Sequence, residues 1–326
     1  MTTAEINEAS DLLSKHYPAL WPQYYPRVYP DITGSYWSPK TIAAVLLNSG
    51  LAEWQQHKGH YQSSDLGPVL HNVLEMLRIY RMPFYYVAPS LLDAILRSEL
   101  PEDIAWDEIQ LPLPCATFVL PENKFSHPLY GAVRFISYAV TEPSQEARPP
   151  YGPRMIAPPY KSISLLSCAG SDNPIFSGSC FRAGVPVKKD EITKYLNGLR
   201  EIGIGMRETD CEENRDFNER FPNILFRILL AIQARPELVS RSQFTGKRNK
   251  KNREIWTPNI IGKDYIIKRS GPSQEGSGGW NVRMHWRRGH LRIQPHGPNN
   301  SLRKTIWIEP MLVGAEVQEH ASVAAC

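Results

Sequence analysis

Several features that would identify an enzyme or a membrane protein are missing from this chain of 326 residues. Its five cysteines are an odd number without a CxxC pair, which indicates neither a disulfide framework nor a zinc cluster. No apolar run approaches the roughly 18 residues of a transmembrane helix, and the N-terminal sequence MTTAEINEAS lacks the apolar segment of a signal peptide. These absences predict a protein of the reducing cytoplasm that does not contact a membrane.

Motifs of established enzyme classes are also missing. The sequence has no glycine-rich phosphate loop, no nucleophile elbow, no HExxH and no kinase signature. The spacing of His285, His290 and His296 matches no familiar metal site, and no carboxylates that could complete one lie nearby. We therefore expect no cofactor, no bound metal and no small-molecule enzyme of a known type.

Proline, by contrast, is abundant, with 28 residues. Because proline breaks helix interiors, this number predicts few long helices and many extended connections. Even so, Ser38 and Pro39 form a typical helix start, and another helix is predicted from Pro89, in PSLLDAILRSEL. These patterns predict a mainly helical N-terminal layer over residues 1–100.

The character of the sequence changes after Leu100. Runs of β-branched and aromatic residues separated by proline and glycine predict a meandering, largely antiparallel sheet. A nearly apolar helix beginning near Asp216 is expected to lie buried against that sheet. The predicted fold class is α+β, with one such domain over residues 101–314 that ends in a basic C-terminal β-hairpin, and a disordered tail over 315–326.

The net charge of +4 conceals an uneven distribution of charge. Between Arg241 and Lys304 there are 15 lysines and arginines but only three acidic residues. Positive charge concentrated in one region is typical of a surface that meets a polyanion. The alternatives are an acidic partner protein and the chain's own acidic half.

The densest part of this region is WNVRMHWRRGHLRIQ, which begins at Trp280. Apolar and polar residues alternate on both sides of Arg288 and Gly289, which predicts two half-buried strands. With those two residues as a turn, the strands form a hairpin with apolar pairs on one face and basic pairs on the other. Arginine is a poor first turn residue, so a wider loop is an alternative.

The face with the basic pairs is predicted to bind an anion, because like charges that lie opposite each other repel unless an anion lies between them. Arginine matches phosphate geometry and exposed aromatic rings stack on bases, so the hypothesis is a phosphate or RNA surface. The alternative is a solvated basic face whose tryptophans, Trp286 and Trp307, are core residues. The predicted nucleic-acid-binding residues are Arg283, Arg287, Arg288, Arg292, Trp286, Lys250 and Lys251.

Catalysis by the same block is a separate hypothesis. A metal-independent ribonuclease needs a general acid, a general base and a cation. His285 and His290 supply the first two, an arginine supplies the third, and Glu309 is a further member if the last strand lies beside the hairpin. The alternative function is therefore such a ribonuclease, or a toxin-like RNA-binding protein.

The C-terminal sequence HWRRGHLRIQPHGPNNSLRKTIWIEPMLVG, together with ILFRILLAIQARPELV, resembles a family of phage and mobile-element proteins of the AcrVA anti-CRISPR type. The resemblance covers residues 220–314 well, and its most specific part is the RRGH core, Arg287 to His290. One departure is Leu291, where an aromatic residue is expected, which weakens any stacking role at that position.

The resemblance implies a regulatory binding protein that recognises the N-terminal segment of a Cas nuclease during its translation and lowers the amount of its message. The residues that carry the shared motif are His285, Arg287, Arg288, Gly289 and His290. The implied partners are RNA or a ribosome-associated message, and a nascent or extended peptide of the target protein. The identity of the target does not follow, because the N-terminal half is not visibly similar.

Overall fold

The computed structural model describes residues 36–37, 42, 45–46, 73, 83–101, 104–142, 161–170, 175–184, 212–241, 259–270 and 284–313. Two α-helices have bounds in these residues, α1 (Pro89–Leu96) and α2 (Glu212–Ala234). The strands of the first half are β1 (Phe84–Val87), β2 (Ser98–Glu99), β3 (Cys115–Val119), β4 (Ser126–His127), β5 (Gly131–Thr141), β6 (Ser162–Ala169) and β7 (Ile175–Arg182). The remaining strands are β8 (Val239–Arg241), β9 (Asn259–Ile261), β10 (Lys268–Ser270), β11 (His285–Arg287), β12 (Gly289–His296), β13 (Leu302–Ile308) and β14 (Met311–Val313).

The largest sheet of the described residues has the strand order β7-β6-β5-β3-β1-β9-β8, with β4 beside β5. From β3 to β7 the neighbours are antiparallel, as the sequence predicted. Strand β1, however, runs parallel to both β3 and β9, with Tyr85 opposite Phe118 on one side and Asn259 on the other. The sheet is therefore mixed.

Helix α2 supplies much of the core. Phe221, Leu225 and Leu229 are almost fully buried, and Phe226 packs edge-on against Phe181 of β7 at 5.4 Å between ring centroids. Burial of a large apolar side chain stabilises a fold by about 1.5–3 kcal/mol, so this helix alone accounts for a large share of the apolar stabilisation. The prediction of a buried helix in this region is confirmed.

Two three-stranded sheets contain the C-terminal strands β11 to β14, which we call the basic block. One has the order β10-β14-β11, and the other has the order β13-β12-β2. Strands β12 and β13 form an antiparallel hairpin whose connection is the 3-10 turn Pro298–Asn300. Gly297 begins that turn with a φ of 78°, a conformation in which a side chain would be strained. Strand β2 pairs in parallel with β12 of the hairpin, so residues just after α1 are hydrogen-bonded to the basic block.

The predicted fold class is wrong in two respects. Strands predominate over helices in the described residues, and a buried strand, β1, lies inside the predicted helical N-terminal layer and in the middle of the mixed sheet. The sequence FYYV is too short for a period to be recognised, and its partners lie far away along the chain. The helix predicted from Ser38 is described only at Ile42, Val45 and Leu46, which are helical and buried. Val73 is also helical and buried.

The predicted hairpin turn at Arg288 and Gly289 is also wrong. Strand β11 pairs with β14, and β12 pairs with β13 and β2, so the chain passes from one sheet into the next at Arg288. The apolar residues change from even-numbered to odd-numbered positions here because β11 and β12 belong to different sheets. The hairpin of the structure is formed by the next two strands, β12 and β13.

The predicted tail over residues 315–326 lies outside the described residues. Among the described helices, none combines the length and the apolar character needed to cross a bilayer.

Candidate nucleic-acid interface

The basic block is held in place by four consecutive residues, Leu96 to Glu99. Helix α1 ends at Leu96, and Arg97 is its C-cap. The carbonyl oxygen of Arg97 accepts a hydrogen bond of 3.0 Å from the backbone nitrogen of Gly289, which begins the pairing of β2 with β12. The carbonyl oxygen of Leu96 accepts a bond of 3.3 Å from Arg227 of α2. The segment therefore connects the block to both helices.

Ser98 is the buried centre of this connection. Its hydroxyl donates to the carbonyl of Ala94 at 2.9 Å and accepts from the indole nitrogen of Trp307 at 2.9 Å. Gly289 lies so close that a Cβ on it would be 2.5 Å from the Ser98 oxygen and 2.9 Å from the Ile308 carbonyl oxygen. The glycine of the RRGH sequence thus permits close approach of two strands, which is a different role from the predicted turn.

Trp307 belongs to the core. It is only 8% exposed and stacks on Tyr265 at 5.8 Å between ring centroids. With its ring nitrogen bound to Ser98, it is not available to stack on a base.

Trp286 is half-buried in β11, where it lies opposite Leu312 of β14. The guanidinium of Arg97 lies over its ring, 4.1 Å from the ring centroid. Such a cation–π contact is worth about 0.5–1 kcal/mol at an exposed site. One face of the ring is therefore already occupied, and Arg97, which sequence analysis missed, is a fixed cation beside β11.

The exposed face of the β12–β13 hairpin combines basic side chains of β12 with two isoleucines and Lys304 of β13. His290 and Arg292 of β12 are exposed and lie opposite Ile308 and Ile306 of β13. Ile308 is 39% exposed, so it adds apolar surface to the face. The opposite face of the hairpin is buried through Leu291 and Trp307. The alternation predicted from the sequence is therefore correct within β12, whereas in β13 Thr305 is buried and Ile308 is exposed.

Glu99 of β2 lies at the end of this basic row. One carboxylate oxygen accepts a hydrogen bond of 2.9 Å from Arg288, and the other lies 3.3 Å from Nδ1 of His290. The hydrogen bond from Arg288, with smaller contributions from the charges of His290 and Arg227, lowers the pKa of the Glu99 carboxyl. Two of the predicted anion-binding residues thus already have an anionic neighbour from the same chain.

The other small sheet presents a second basic row. Lys268 of β10 and Arg287 of β11 both lie opposite Met311 of β14, so these three side chains share one face. Lys268 and Arg287 are exposed. His285 is exposed on the same strand as Arg287, whereas His290 belongs to the β12 sheet, so no single strand pair brings the two histidines together.

Glu309 lines a cleft of about 340 Å³ whose lining residues include neither His285 nor His290. Its carboxylate is 7% exposed and accepts hydrogen bonds from Arg235 at 2.5 Å and from the Tyr265 hydroxyl at 3.0 Å. Burial, followed by the negative charge of Glu309, raises the pKa of Tyr265. The carboxylate is thus engaged by Arg235 and Tyr265. Lys268 lies at 3.4 Å.

The positive character of the region is retained on the surface. In residues 259–270 and 284–313 all eight lysines and arginines are exposed, and the acidic residues of these two ranges are Asp264 and Glu309. Arg283, Lys250 and Lys251, which were predicted to contribute, lie outside the described residues. The described surface agrees with the charge distribution of the sequence.

Four residues of this region were not predicted from the sequence: Arg97, Ser98, Glu99 and Arg235. The segment LRSEL carries no motif, and the partners of Ser98 and Glu99 are about 190–210 residues away. The one available signal was an apolar helix followed by three consecutive polar residues, which is too common to be specific.

Comparison with known proteins gave one result that bears on the whole block. A family model described as AcrVA2-like, anti-CRISPR type V subtype A2 family, matches residues 85–315, which is more than half of the chain. No curated protein and no solved structure matches. The matched range begins within strand β1 and includes both small sheets. This chain is a member of the AcrVA2-like anti-CRISPR family of phage and mobile-element proteins.

Proposed function

We propose that this protein acts in the cytoplasm as a regulatory binding protein, which recognises the nascent N-terminal segment of a Cas nuclease and lowers the amount of the nuclease message. In this proposal the basic surface formed by Arg287, Arg288, His290 and Arg292 contacts the message or the ribosome. The observation that carries the RNA contact is the exposure of every described lysine and arginine in this region.

Electrostatics supports an RNA partner. Neutralisation of phosphates by lysine and arginine releases counterions, which gives affinity without sequence specificity. A factor that meets many different codons of one message needs contacts of this kind, because the phosphate backbone is the same in every sequence.

In this proposal an extended peptide of the target protein binds beside the same face. In the part of the chain that the structure describes, β13 ends its sheet and has β12 as its sheet partner. Leu302 is 52% exposed and Ile308 is 39% exposed on this strand. Peptides commonly bind by adding a strand to such an edge, with side-chain contacts giving specificity.

The cellular test uses reporters that begin with the coding segment for the N-terminus of a Cas nuclease. One reporter keeps the peptide and changes the codons. The other keeps the nucleotide sequence but shifts its reading frame, so that the peptide changes. Recognition of a nascent peptide predicts loss of message for the first reporter and no loss for the second. Loss that follows the nucleotide sequence instead would contradict the proposal.

The RNA contact is tested with purified protein and a labelled single-stranded RNA. Reversal of charge in the double variant Arg287→Glu and Arg292→Glu is expected to weaken binding and to reduce its dependence on salt. The double variant Lys124→Glu and Lys161→Glu is the matched control, since it changes net charge equally at two ion pairs outside the basic block. Equal effects of the two variants would indicate a general charge effect rather than a site.

A further inference from the structure

We propose that Arg288 and His290 form a phosphate-binding site that is occupied by Glu99 of the same chain, so that a phosphate group binds there by displacing this carboxylate. The inference rests on the proposed RNA contact of the basic surface and names a site within it. Glu99 then limits the affinity of the surface for RNA.

The geometry of Glu99 is that of a bound anion. Its two oxygens contact two different positively charged or protonatable groups, the guanidinium of Arg288 at 2.9 Å and the imidazole of His290 at 3.3 Å. Oxygens of a phosphate make the same contacts with arginine and with protonated histidine. The carboxylate therefore stands where a phosphate oxygen would bind.

Backbone pairing keeps the carboxylate near the site. Strand β2 pairs with β12 in parallel, with Glu99 in register with His290. The Cα position of Glu99 is fixed by this pairing, but rotation about its side-chain bonds is enough to release the two cations. Displacement does not require the sheet to open.

Exposure of all three side chains makes displacement energetically accessible. Side-chain exposure is 76% for Arg288, 52% for His290 and 49% for Glu99. Ion pairs this exposed to water contribute little to stability, so an incoming phosphate loses little by replacing one. Removal of the carboxylate should therefore increase phosphate affinity without unfolding the protein.

The strand also offers a second contact for a polyanion. Arg292 follows His290 by two residues on the same face, about 6.8 Å along the strand. Its register partner on β13 is Ile306, which has no charge. A chain of phosphates that contacts Arg292 therefore also passes the Glu99 carboxylate, which lies beside His290, a residue of the same strand as Arg292.

The first experiment compares Glu99→Gln with Glu142→Gln by fluorescence anisotropy on a labelled single-stranded RNA at pH 6. Glu142 is the matched control because it forms an exposed ion pair with Lys161 outside the basic block. We expect Glu99→Gln to tighten RNA binding about two- to five-fold beyond the control. The slope of log affinity against log salt should steepen by about 0.7, the value for one added phosphate contact.

A second pair of variants locates the gain. Arg288→Gln should remove most of the difference between the wild-type and Glu99→Gln backgrounds, since one of the two released groups is then missing. Persistence of the full gain without Arg288 would overturn the inference, as would equal effects of Glu99→Gln and Glu142→Gln.

Titration with inorganic phosphate separates this inference from the proposed function. The ring signals of His290 are followed by NMR in the wild type, in Glu99→Gln and in Glu142→Gln. Tighter phosphate binding in Glu99→Gln alone supports the site even when RNA does not bind, in which case the RNA function fails by itself. The site is overturned if RNA binds and Glu99→Gln leaves its affinity unchanged. It is also overturned if RNA does not bind and Glu99→Gln does not tighten phosphate binding. The RNA function is judged separately, by the charge-reversal variants.

Discussion

At the scale of single residues, two small side chains decide how the basic block is attached. Gly289 leaves the space into which Ser98 fits, and the Ser98 hydroxyl binds both the end of α1 and the ring of Trp307. Neither role depends on chemistry at the surface. The glycine of the RRGH sequence is therefore explained by packing, whereas its neighbours Arg288 and His290 are exposed.

Gly289→Ala is expected to lower the free energy of unfolding by about 1–3 kcal/mol, the usual effect of overpacking a closely packed site. The added methyl group would meet the Ser98 oxygen at 2.5 Å and Pro310 at 2.7 Å, so one strand has to shift. Denaturation by urea measures the change. Gln294→Ala, on the exposed face of the same strand, is the control and should stay within about 0.5 kcal/mol of the wild type.

Ser98→Ala is expected to cost about 1–3 kcal/mol, because it leaves the buried indole nitrogen of Trp307 without its partner. Ser301→Ala serves as a comparison, since Ser301 is exposed in the connection between β12 and β13. Unfolding curves of the two variants that coincide would show that the Ser98 hydroxyl has no structural importance.

At the scale of elements, α2 and the two small sheets have different functions. The helix is buried against the large sheet and also contacts α1, β12 and β13, so it supports the basic block from beneath. Its Arg227 reaches the carbonyl of Leu96 at the start of the segment that holds Gly289. Stability of the helix and position of the basic strands are therefore coupled.

Leu225→Ala in α2 should lower the free energy of unfolding by about 2–5 kcal/mol, because Leu225 is fully buried and its truncation leaves a cavity. Ile232→Ala, at a half-buried position of the same helix, should cost less. Urea denaturation compares the two. A larger loss from Ile232→Ala would contradict the assignment of the buried face.

At the scale of the whole molecule, two buried thiols and a buried tyrosine make the free energy of unfolding fall at alkaline pH. Burial raises the pKa of the Cys115 thiol to about 12, and it also raises the pKa values of Cys168 and Tyr138. An unfolded thiol loses its proton above about pH 8.5, whereas the buried thiol keeps it. The unfolded state then binds fewer protons, so folding stability falls as pH rises.

We expect a constant free energy of unfolding near pH 7–8 and a steepening fall above about pH 8.5, with each buried acid contributing up to about 1.4 kcal/mol per pH unit. Cys115→Ala should reduce that slope by one such contribution. Val119→Ala, buried in the same strand, is destabilising but should leave the slope unchanged. Urea denaturation at a series of pH values measures all three proteins, and equal slopes would contradict the assignment.

The charge distribution is the second property of the whole molecule, and here the sequence was a good guide. Concentration of lysine and arginine near the C-terminus is readable by counting, and charged side chains stay at the surface because burying them is costly. The position of Glu99 beside Arg288 could not be obtained in this way. It depends on a parallel pairing between strands that are about 190 residues apart.

The sequence alone was sufficient for the properties that depend on neighbouring residues: the apolar character of α2, the alternation within β12, the antiparallel meander from β3 to β7, and the excess of positive charge near the C-terminus. The tertiary structure alone decided which strands pair. It placed β1 in a mixed sheet, separated β11 from β12, and brought Leu96 to Glu99 against the basic strands. The physical reason is that a strand's alternation fixes which side chains share a face, while its backbone hydrogen bonds are satisfied equally well by any extended partner that packing brings alongside.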